Sequence, residues 1–191
     1  RRITAMIFDK TGTLTKGEFG VTRIETLDSD FDKNFLLSRA AALEQNSEHP
    51  IAVGVTRKAK ESGIEIPRAE EFQAITGKGV EAKVAGRDVK VVSPGYLRDK
   101  QIPIPETAYS DAAETVVFVL IDEKLAGFIA LADEVREESA PAIGAFKQKG
   151  IKVLMATGDN EKVAKAVAEK MNLDGYYSEV LPHQKVEIVK E

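Results

Sequence analysis

The segment from Met6 to Thr15 reads MIFDKTGTLT, in which an apolar run stops at Asp9 and small hydroxyl residues follow at once. A carboxylate is a competent nucleophile toward a phosphoryl group, although both partners are anionic. A cation such as Mg²⁺ and nearby hydrogen-bond donors must therefore neutralise the charge that develops. Asp9 and the carbonyl oxygen of Thr11 offer the oxygen ligands that Mg²⁺ prefers. Gly12 would let the backbone fold tightly beside a phosphate.

A second group of residues later in the chain could complete such a site. Thr157-Gly158-Asp159 follows the apolar segment IKVLMAT. Ligands of parallel sheets bind outside the carboxyl ends of the strands, so this group and Asp9 would face one crevice if their strands are neighbours. Thr157 and the amides that begin the next helix could hold a phosphate, and Lys185 could add positive charge. The alternative is that Asp9 only caps a turn, which the combination of motifs disfavours.

The elements around these motifs alternate between strand and helix. The apolar run ITAMIF at 3–8 predicts a buried strand. The later part of the chain predicts a helix over 133–149, a strand over 151–157, a helix over 160–171, a short strand near 176–180 and a helix from about 183. Such alternation is typical of α/β domains with a parallel, Rossmann-type sheet.

The middle of the chain has a different pattern. The spacing predicts a helix over 31–46 and another from Pro50 to Gly63. Five short strands between residues 70 and 131, separated by glycine or charged turns, indicate an antiparallel meander. The proline-rich segment 93–109 is predicted to be irregular. These features together predict an α+β domain.

The α/β pattern begins at residue 3, is interrupted near 20 and resumes near 130. We therefore predict a discontinuous domain formed by 1–20 and 131–191, with a second domain, 21–130, inserted into it. The predicted connectors are Glu18-Phe19-Gly20 and Leu131-Ala132-Asp133.

Composition excludes several classes of function. The 191 residues carry a net charge of -4, so binding to nucleic acid has no electrostatic support. The chain has no cysteine, which excludes disulfides and thiolate metal sites. No apolar run approaches the ~20 residues that cross a bilayer. The abrupt beginning and end of the sequence suggest a piece of a longer protein.

The motif DKTGTLT at 9–15 resembles the phosphorylation motif of the P-type ATPases, whose catalytic domain has the haloacid-dehalogenase fold. The resemblance covers essentially the whole chain and implies ATP and Mg²⁺ as cofactors. It implies that Asp9 takes the γ-phosphate of ATP. The resemblance assigns the phosphate-site partners Lys10, Thr11, Thr157, Gly158 and Lys185, with Asp159 at the same crevice.

Most phosphatases of the wider fold family carry a second aspartate two residues after the nucleophile, as a general acid and base. This chain has Thr11 at that position. Loss of the base should slow hydrolysis of the phosphoenzyme, which suits a transport cycle. A soluble phosphatase with a large cap domain is the less favoured alternative.

The motif SEHP at 47–50 resembles the His-Pro pair that marks the nucleotide-binding domain of P-type ATPases moving heavy metals. Glu44 and the segment Gly77-Lys78-Gly79 match that domain's glutamate and G-x-G. The resemblance implies that Glu44 accepts from the adenine amino group, that His49 contacts the base, and that Gly77 and Gly79 let the purine approach the backbone. Alternatively, His49 is only a helix cap, the G-x-G is only a hairpin turn, and Lys78 is a solvated lysine.

The resemblance implies that the full-length protein couples ATP hydrolysis to transport of a heavy-metal ion. The segment Ser93-Pro94-Gly95-Tyr96 is similar to the copper-translocating branch often called B-type. The transmembrane and actuator domains and the bound ion would lie elsewhere in the chain, and this part would lie at the cytoplasmic face of a membrane. The sequence ends before the family's GDGxND motif, so the phosphorylation domain is predicted to be incomplete and the fragment to be a nucleotide-binding module at least.

Two further expectations follow. Asp133 and Arg136, in ADEVR, match a charged hinge segment of the family or, equally, form an acidic helix start. Because Glu44 and His49 fall in the insert and Asp9 in the outer domain, a single ATP would have to engage both domains, and the connectors would act as hinges.

Overall fold

A computed structural model of the chain describes residues 2–185. The chain forms two compact units. The first comprises the chain up to Glu18, the short segment Asp111–Ala113 and the chain from Asp133 onward. The second comprises Phe19–Ser110 and Glu114–Ala132. The assignment of the units to phosphorylation and nucleotide binding stays a prediction.

The secondary structure within residues 2–185 consists of β-strands, α-helices and short helical turns. The strands are β1 (Ala5–Asp9), β2 (Thr15–Thr26), β3 (Ala69–Ile75), β4 (Gly79–Val84), β5 (Arg87–Val92), β6 (Thr115–Ile121), β7 (Lys124–Val135), β8 (Lys152–Ala156) and β9 (Gly175–Tyr177). The α-helices are α1 (Lys33–Glu44), α2 (Pro50–Glu61), α3 (Pro94–Asp99), α4 (Ser139–Gln148) and α5 (Glu161–Lys170). The short helical turns occupy Lys10–Leu14, Glu106–Tyr109 and Pro182–Gln184.

The first unit is built on a parallel sheet with the strand order β1-β8-β9. Apolar side chains of the sheet, of α4 and of α5 share one buried cluster, which contains Val153, Met155, Ile143 and Ala164. Each crossover between neighbouring parallel strands needs a connecting element, and α5 supplies it between β8 and β9. The carboxyl ends of β1 and β8 consequently lie side by side, with Asp9 in register with Ala156.

The second unit contains the six-stranded sheet β2-β7-β6-β5-β4-β3, in which each neighbouring pair from β7 to β3 is antiparallel. α1 and α2 pack against each other, and α1 contacts β3, β4 and β5. Their apolar residues form one buried cluster with the sheet, and a second cluster contains Leu97 of α3 with Phe118 and Phe128. The predicted architecture, a parallel-sheet domain interrupted by an α+β insert with an antiparallel sheet, is confirmed.

Local signals fix where the two long helices of the insert begin. The Asp32 carboxylate accepts a hydrogen bond from the Phe35 N–H at 2.7 Å and caps α1. α2 begins at Pro50, as predicted, because a proline at the first helical position loses no hydrogen bond. The Nδ1 atom of His49 accepts from the Ile51 N–H at 3.2 Å and caps α2.

Two predictions of local structure are wrong, and one strand was not predicted. The sequence did not reveal β2, a twelve-residue strand that pairs with β7. The helix predicted over 133–149 begins only at Ser139, because Asp133 and Glu134 belong to β7; Asp133 is therefore not part of an acidic helix start. The segment predicted to be irregular contains α3. The helix predicted from about 183 lies mostly outside the described residues.

None of the helices within residues 2–185 has both the length and the apolar character needed to cross a membrane.

Candidate active site

Asp9 is the last residue of β1, and each of its two carboxylate oxygens accepts a hydrogen bond. Oδ1 accepts a hydrogen bond from the Thr11 N–H at 3.2 Å. Oδ2 accepts from Nζ of Lys185 at 2.8 Å. The Asp9 side chain is 42% exposed, so an incoming group can still reach it. The nucleophile predicted from the sequence is thus positioned, ion-paired and accessible.

The turn Lys10–Leu14 wraps the chain around this carboxylate. Gly12 has φ +78, in the left-handed region, and an added Cβ would meet no heavy atom within 4 Å. Glycine is required there by backbone conformation and not by lack of space. Arg136 closes the turn, since its Nε donates to the Thr15 carbonyl at 3.0 Å and its Nη2 to the Gly12 carbonyl at 2.9 Å.

Lys10 is a nearly buried cation between two carboxylates. Its side chain is only 6% exposed. Nζ donates to Oδ2 of Asp159 and lies 3.7 Å from Oδ2 of Asp133. Lys10 therefore joins the chain after β1 to the chain after β8 by an ion pair, and its charge is shared between two acidic groups.

Asp133 was not among the site residues predicted from the sequence. Its Oδ2 accepts from the Thr15 hydroxyl at 2.7 Å and its Oδ1 from the Gly17 N–H at 3.0 Å. With Lys10, these contacts tie the end of β7 to the start of β2. The charged segment ADEVR was the signal that could have identified it.

Thr157-Gly158-Asp159 directly follows β8. Thr157 is 1% exposed, its N–H donates to the Tyr177 carbonyl at 3.0 Å, and its hydroxyl accepts from the Asp159 N–H at 3.1 Å. Together these contacts bring all the predicted phosphate-site residues to one end of the parallel sheet: Asp9, Lys10, Thr11, Thr157, Gly158, Asp159 and Lys185. Their roles in chemistry stay predictions.

The predicted Mg²⁺ ligands, the Asp9 carboxylate and the Thr11 carbonyl, supply oxygen atoms of the right chemistry. Two such atoms fit a metal that keeps several water ligands and binds substrate phosphate. Within residues 2–185, no group of three or more His, Cys, Asp or Glu side chains could hold a metal ion alone. The residues present thus fit Mg²⁺ held jointly with a phosphate.

In the second unit, the predicted base-contacting residues Glu44 and His49 flank the turn between α1 and α2. Glu44 is the last residue of α1, and burial raises the pKa of its carboxyl group to about 7. His49 is exposed and uses Nδ1 to cap α2, so a neutral imidazole carries its proton on Nε2, which stays available as a donor.

Gly77 lies in the turn between β3 and β4, Gly79 is the first residue of β4, and the space beside the two glycines differs. An added Cβ at Gly77 meets nothing within 4 Å, whereas at Gly79 it would lie 2.1 Å from the Val91 carbonyl oxygen. Lys78 forms an ion pair with Asp99 at 3.0 Å and is not simply solvated. Among residues 2–185, no hydrogen bond or ion pair joins Glu44 or His49 to this turn.

A cavity of about 540 Å³ opens beside the end of α1. None of the four predicted nucleotide-contacting residues is among its lining residues, which are Ala42, Leu43, Gln45, Asn46, Ser47, Arg68, Ala69 and Phe72. The cavity therefore gives no support to the predicted base site.

Lys10→Met is expected to lower the free energy of unfolding of the first unit by about 2 kcal/mol. Removing one partner of a buried pair leaves an uncompensated charge, which costs roughly 3–5 kcal/mol in full burial. Here the cost is smaller, because Asp133 keeps two donors and the Asp159 side chain is 36% exposed.

Lys16→Met is the matched control. Lys16 pairs with Glu134 at 3.1 Å, but both side chains are nearly half exposed, so this variant should lose much less stability than Lys10→Met. Urea unfolding, followed through amide signals of β1 and β8, compares the two variants. Equal stability of both would contradict a stabilising role for the Lys10 ion pairs.

Comparison with known proteins shows which family and which relatives the chain resembles. Residues 3–191 match the haloacid dehalogenase-like hydrolase family. The chain is 51% identical, over 99% of its length and 27% of the relative's, to a copper-exporting P-type ATPase B of Archaeoglobus fulgidus. The chain thus spans about a quarter of that relative's length.

Two solved structures are similar over 98% of the chain. One is a zinc-transporting PIB-type ATPase in an E2.Pi state, with a TM-score of 0.86 and 36% identity, of which the chain covers 31%. The other is the catalytic domain of a CPx-ATPase, described with conformational changes upon nucleotide binding, with a TM-score of 0.65 and 29% identity over 66% of that structure. The chain therefore belongs to the haloacid dehalogenase-like hydrolase family, and its homologues within that family are metal-transporting P-type ATPases.

Proposed function

We propose that this chain is the ATP-binding and aspartyl-phosphorylation region of a P-type ATPase that transports a heavy-metal ion. The observation that carries the proposal is the Asp9 carboxylate, held at the end of a parallel strand between the Thr11 N–H and Lys185. A carboxylate in this position attacks the γ-phosphorus of ATP, and ADP leaves, so that an acyl phosphate forms on Asp9.

The residues around Asp9 offset the electrostatic repulsion between its carboxylate and the γ-phosphate of ATP. Lys185 contacts the nucleophile and places a positive charge where the phosphoryl oxygens arrive. Thr157 and the chain that begins α5 offer donors on the same side. Bound Mg²⁺ would draw on the Asp9 carboxylate and the Thr11 carbonyl and would neutralise phosphate charge.

The fate of the acyl phosphate depends on which base can activate water. The residue two positions after Asp9 is Thr11, which has no carboxylate. The nearby carboxylates of Asp133 and Asp159 are both engaged by Lys10. A slowly hydrolysed phosphoenzyme follows, which favours a transport cycle over the alternative of a soluble phosphatase.

The proposal places the adenine base on the second unit, at Glu44 and His49, and the γ-phosphate on the first unit, at Asp9. Gly77 is proposed to permit close approach of the purine.

His49→Asn is expected to weaken ATP binding by about ten- to a hundredfold, because a lost contact to a polar group costs roughly 1–3 kcal/mol. Asparagine is a good helix cap, so α2 keeps the cap that Nδ1 now provides. Titration calorimetry measures the affinity, and the exposed neighbour Glu48→Gln is the control. Unchanged affinity in His49→Asn would remove His49 from the base site.

The activity of the whole protein is also a proposal. The transported ion would bind in membrane helices of the full-length chain, and this region would work at the cytoplasmic face together with an actuator domain. Copper is proposed from the SPGY segment and from the name of the Archaeoglobus relative. Comparing copper- and zinc-stimulated ATP hydrolysis by the full-length protein would test that choice.

One experiment separates the candidate functions of this chain. Incubation with ATP labelled at the γ-phosphate, followed by acid quench, should leave a stable label on the protein. Binding of ATP without label would favour a nucleotide-binding module alone, and rapid turnover of small phosphate esters would favour a phosphatase.

A further inference from the structure

Two arginines of the second unit stack on one pair of phenylalanine rings. The rings of Phe31 and Phe35 are stacked, with centroids 4.7 Å apart and planes inclined by 12°. The guanidinium carbon of Arg39 lies 4.0 Å from the centroid of the Phe35 ring. That of Arg87 lies 5.3 Å from the centroid of the Phe31 ring. An aromatic face holds a guanidinium by cation–π attraction and leaves the N–H groups in its plane pointing outward.

The fold brings these two cations together. Phe35 and Arg39 are four residues apart and therefore lie on one edge of α1. Arg87 begins β5, and because side chains alternate along a strand it shares a face with Val89, which packs in the same buried cluster as α1. Burial, and after it the positive charge of Arg87, lowers the pKa of the Arg39 guanidinium, so the two groups are close to each other.

Arg39 has a bidentate hydrogen-bonding side that the protein does not use. Its Nη1 donates to the Ser38 hydroxyl at 3.0 Å. Its Nε is buried and has no hydrogen-bond partner among the described residues. A buried donor without an acceptor is costly and therefore rare in folded proteins. Nε and Nη2 together form the side of a guanidinium that binds phosphate or carboxylate oxygens through two parallel hydrogen bonds.

No acidic side chain balances the two arginines. Within residues 2–185, neither Arg39 nor Arg87 forms an ion pair. Two carboxylates that are near in sequence are engaged or directed elsewhere, since Asp32 caps α1 and Asp88 lies on the opposite face of the sheet from Arg87. Arg87 is exposed, so its long side chain can rearrange to contact an arriving anion. Two unpaired cations favour a ligand that carries two negative charges.

We propose that Arg39 and Arg87 form a binding site for a divalent oxyanion, either free phosphate or the phosphoryl group of a small molecule. The anion takes the Nε–Nη2 side of Arg39 and contacts the guanidinium of Arg87. Its oxygen atoms supply the acceptor that Nε lacks among residues 2–185.

This site is separate from the proposed nucleotide contacts. Arg87 pairs with Val84 at one end of β4, whereas Gly79 begins the other end, five residues or about 17 Å away. On α1, Arg39 and Glu44 are five residues apart and project about 140° apart around the helix axis. The inference therefore does not rest on the proposed function.

The experiment titrates the isotope-labelled chain with sodium phosphate at fixed ionic strength and mildly alkaline pH, where phosphate is mostly a dianion. We expect saturable NMR shifts of the Nε–H signals of Arg39 and Arg87, which sodium chloride does not produce. Arg39→Lys keeps the charge but loses the planar fork, so phosphate binding should weaken about tenfold. Arg87→Gln removes one of the two charges at an exposed position and should weaken it by a similar factor.

Lys83→Gln is the matched control, because it removes an exposed cation from the same β4–β5 hairpin, and its phosphate affinity should stay within about twofold. Unchanged amide signals of β4 and β5 identify the variants that keep the fold. If Arg39→Lys does not keep it, Arg87→Gln alone decides the question.

A second titration, with glycerol phosphate, identifies the source of the anion. A response of both arginines to both probes supports a site for phosphoryl groups of small molecules, and a response to phosphate alone supports a site for the free ion. The proposal is wrong if neither probe shifts the two signals, if chloride reproduces the shifts, or if Arg87→Gln binds phosphate as the unmodified chain does.

Discussion

Asp9→Asn is expected to abolish the acid-stable label that ATP leaves on the protein, with a loss of at least about a thousandfold. An amide of nearly the same shape keeps the oxygen that accepts from the Thr11 N–H, but it is not a nucleophile and gives up the ion pair with Lys185. The change therefore removes chemistry while it preserves the packing at the end of β1.

The control for this experiment is Asp30→Asn, an exposed aspartate outside the first unit. It should keep full labelling, and both variants should bind ATP. Base treatment releases an acyl phosphate, so the label should be lost at high pH if it sits on a carboxylate. Label that persists on Asp9→Asn would show that another residue accepts the phosphate and would refute the assignment.

Gly79→Ala is expected to destabilise the second unit by about 3 kcal/mol or more. The added Cβ would lie 2.1 Å from the Val91 carbonyl oxygen and 2.8 Å from Cα of Val92, distances that real side chains do not reach. Gly79 also has φ +148, which side chains rarely adopt. β4 and β5 would have to separate where Gly79 faces Val92 in the ladder.

Gly77→Ala is the matched comparison, two residues away. Its φ of +68 is strained for alanine, but the space beside it is open, so a cost of about 1 kcal/mol is expected. Urea unfolding followed through amide signals of β4 and β5 measures both. Similar midpoints for the two variants would contradict the packing argument.

This difference changes how the G-x-G segment can be tested. The sequence alone predicts that valine at either glycine blocks adenine more than it disturbs the fold. The structure contradicts this prediction for Gly79, because any Cβ there meets the backbone of β5. Only Gly77 variants can report on nucleotide approach without also damaging the sheet.

Local sequence patterns were enough to predict much of the architecture. The apolar run before Asp9, the strand before Thr157 and the alternation with helices predicted a parallel sheet, and the structure pairs β1 with β8. These signals work because the carboxyl ends of adjacent parallel strands share one edge, whatever the details of packing. The start of α2 at Pro50 was likewise readable, since proline suits the first turn of a helix and not its interior.

β2 was not predicted because its sequence has too few apolar residues to distinguish a strand from a loop. Its residues are mostly partly exposed, and the strand exists because β7 offers it a partner about a hundred residues away. The same pairing extends β7 to Val135 and delays the start of α4 to Ser139, although the acidic residues after Ala132 favour a helix start when taken alone.

The sequence by itself determined that Asp9, the predicted nucleophile, ends a strand, that a glycine-containing turn follows it and that the fold is α/β, because these depend on residue type and short spacing. Only the tertiary structure decided that Lys10 forms ion pairs with both Asp133 and Asp159 and that the backbone of β5 leaves no space for a Cβ at Gly79. It also decided that the side chain of Glu44 is partly buried with no partner within residues 2–185. The reason is physical: burial, ion pairing and close backbone approach are properties of residues far apart in sequence, and they exist only once the chain has folded.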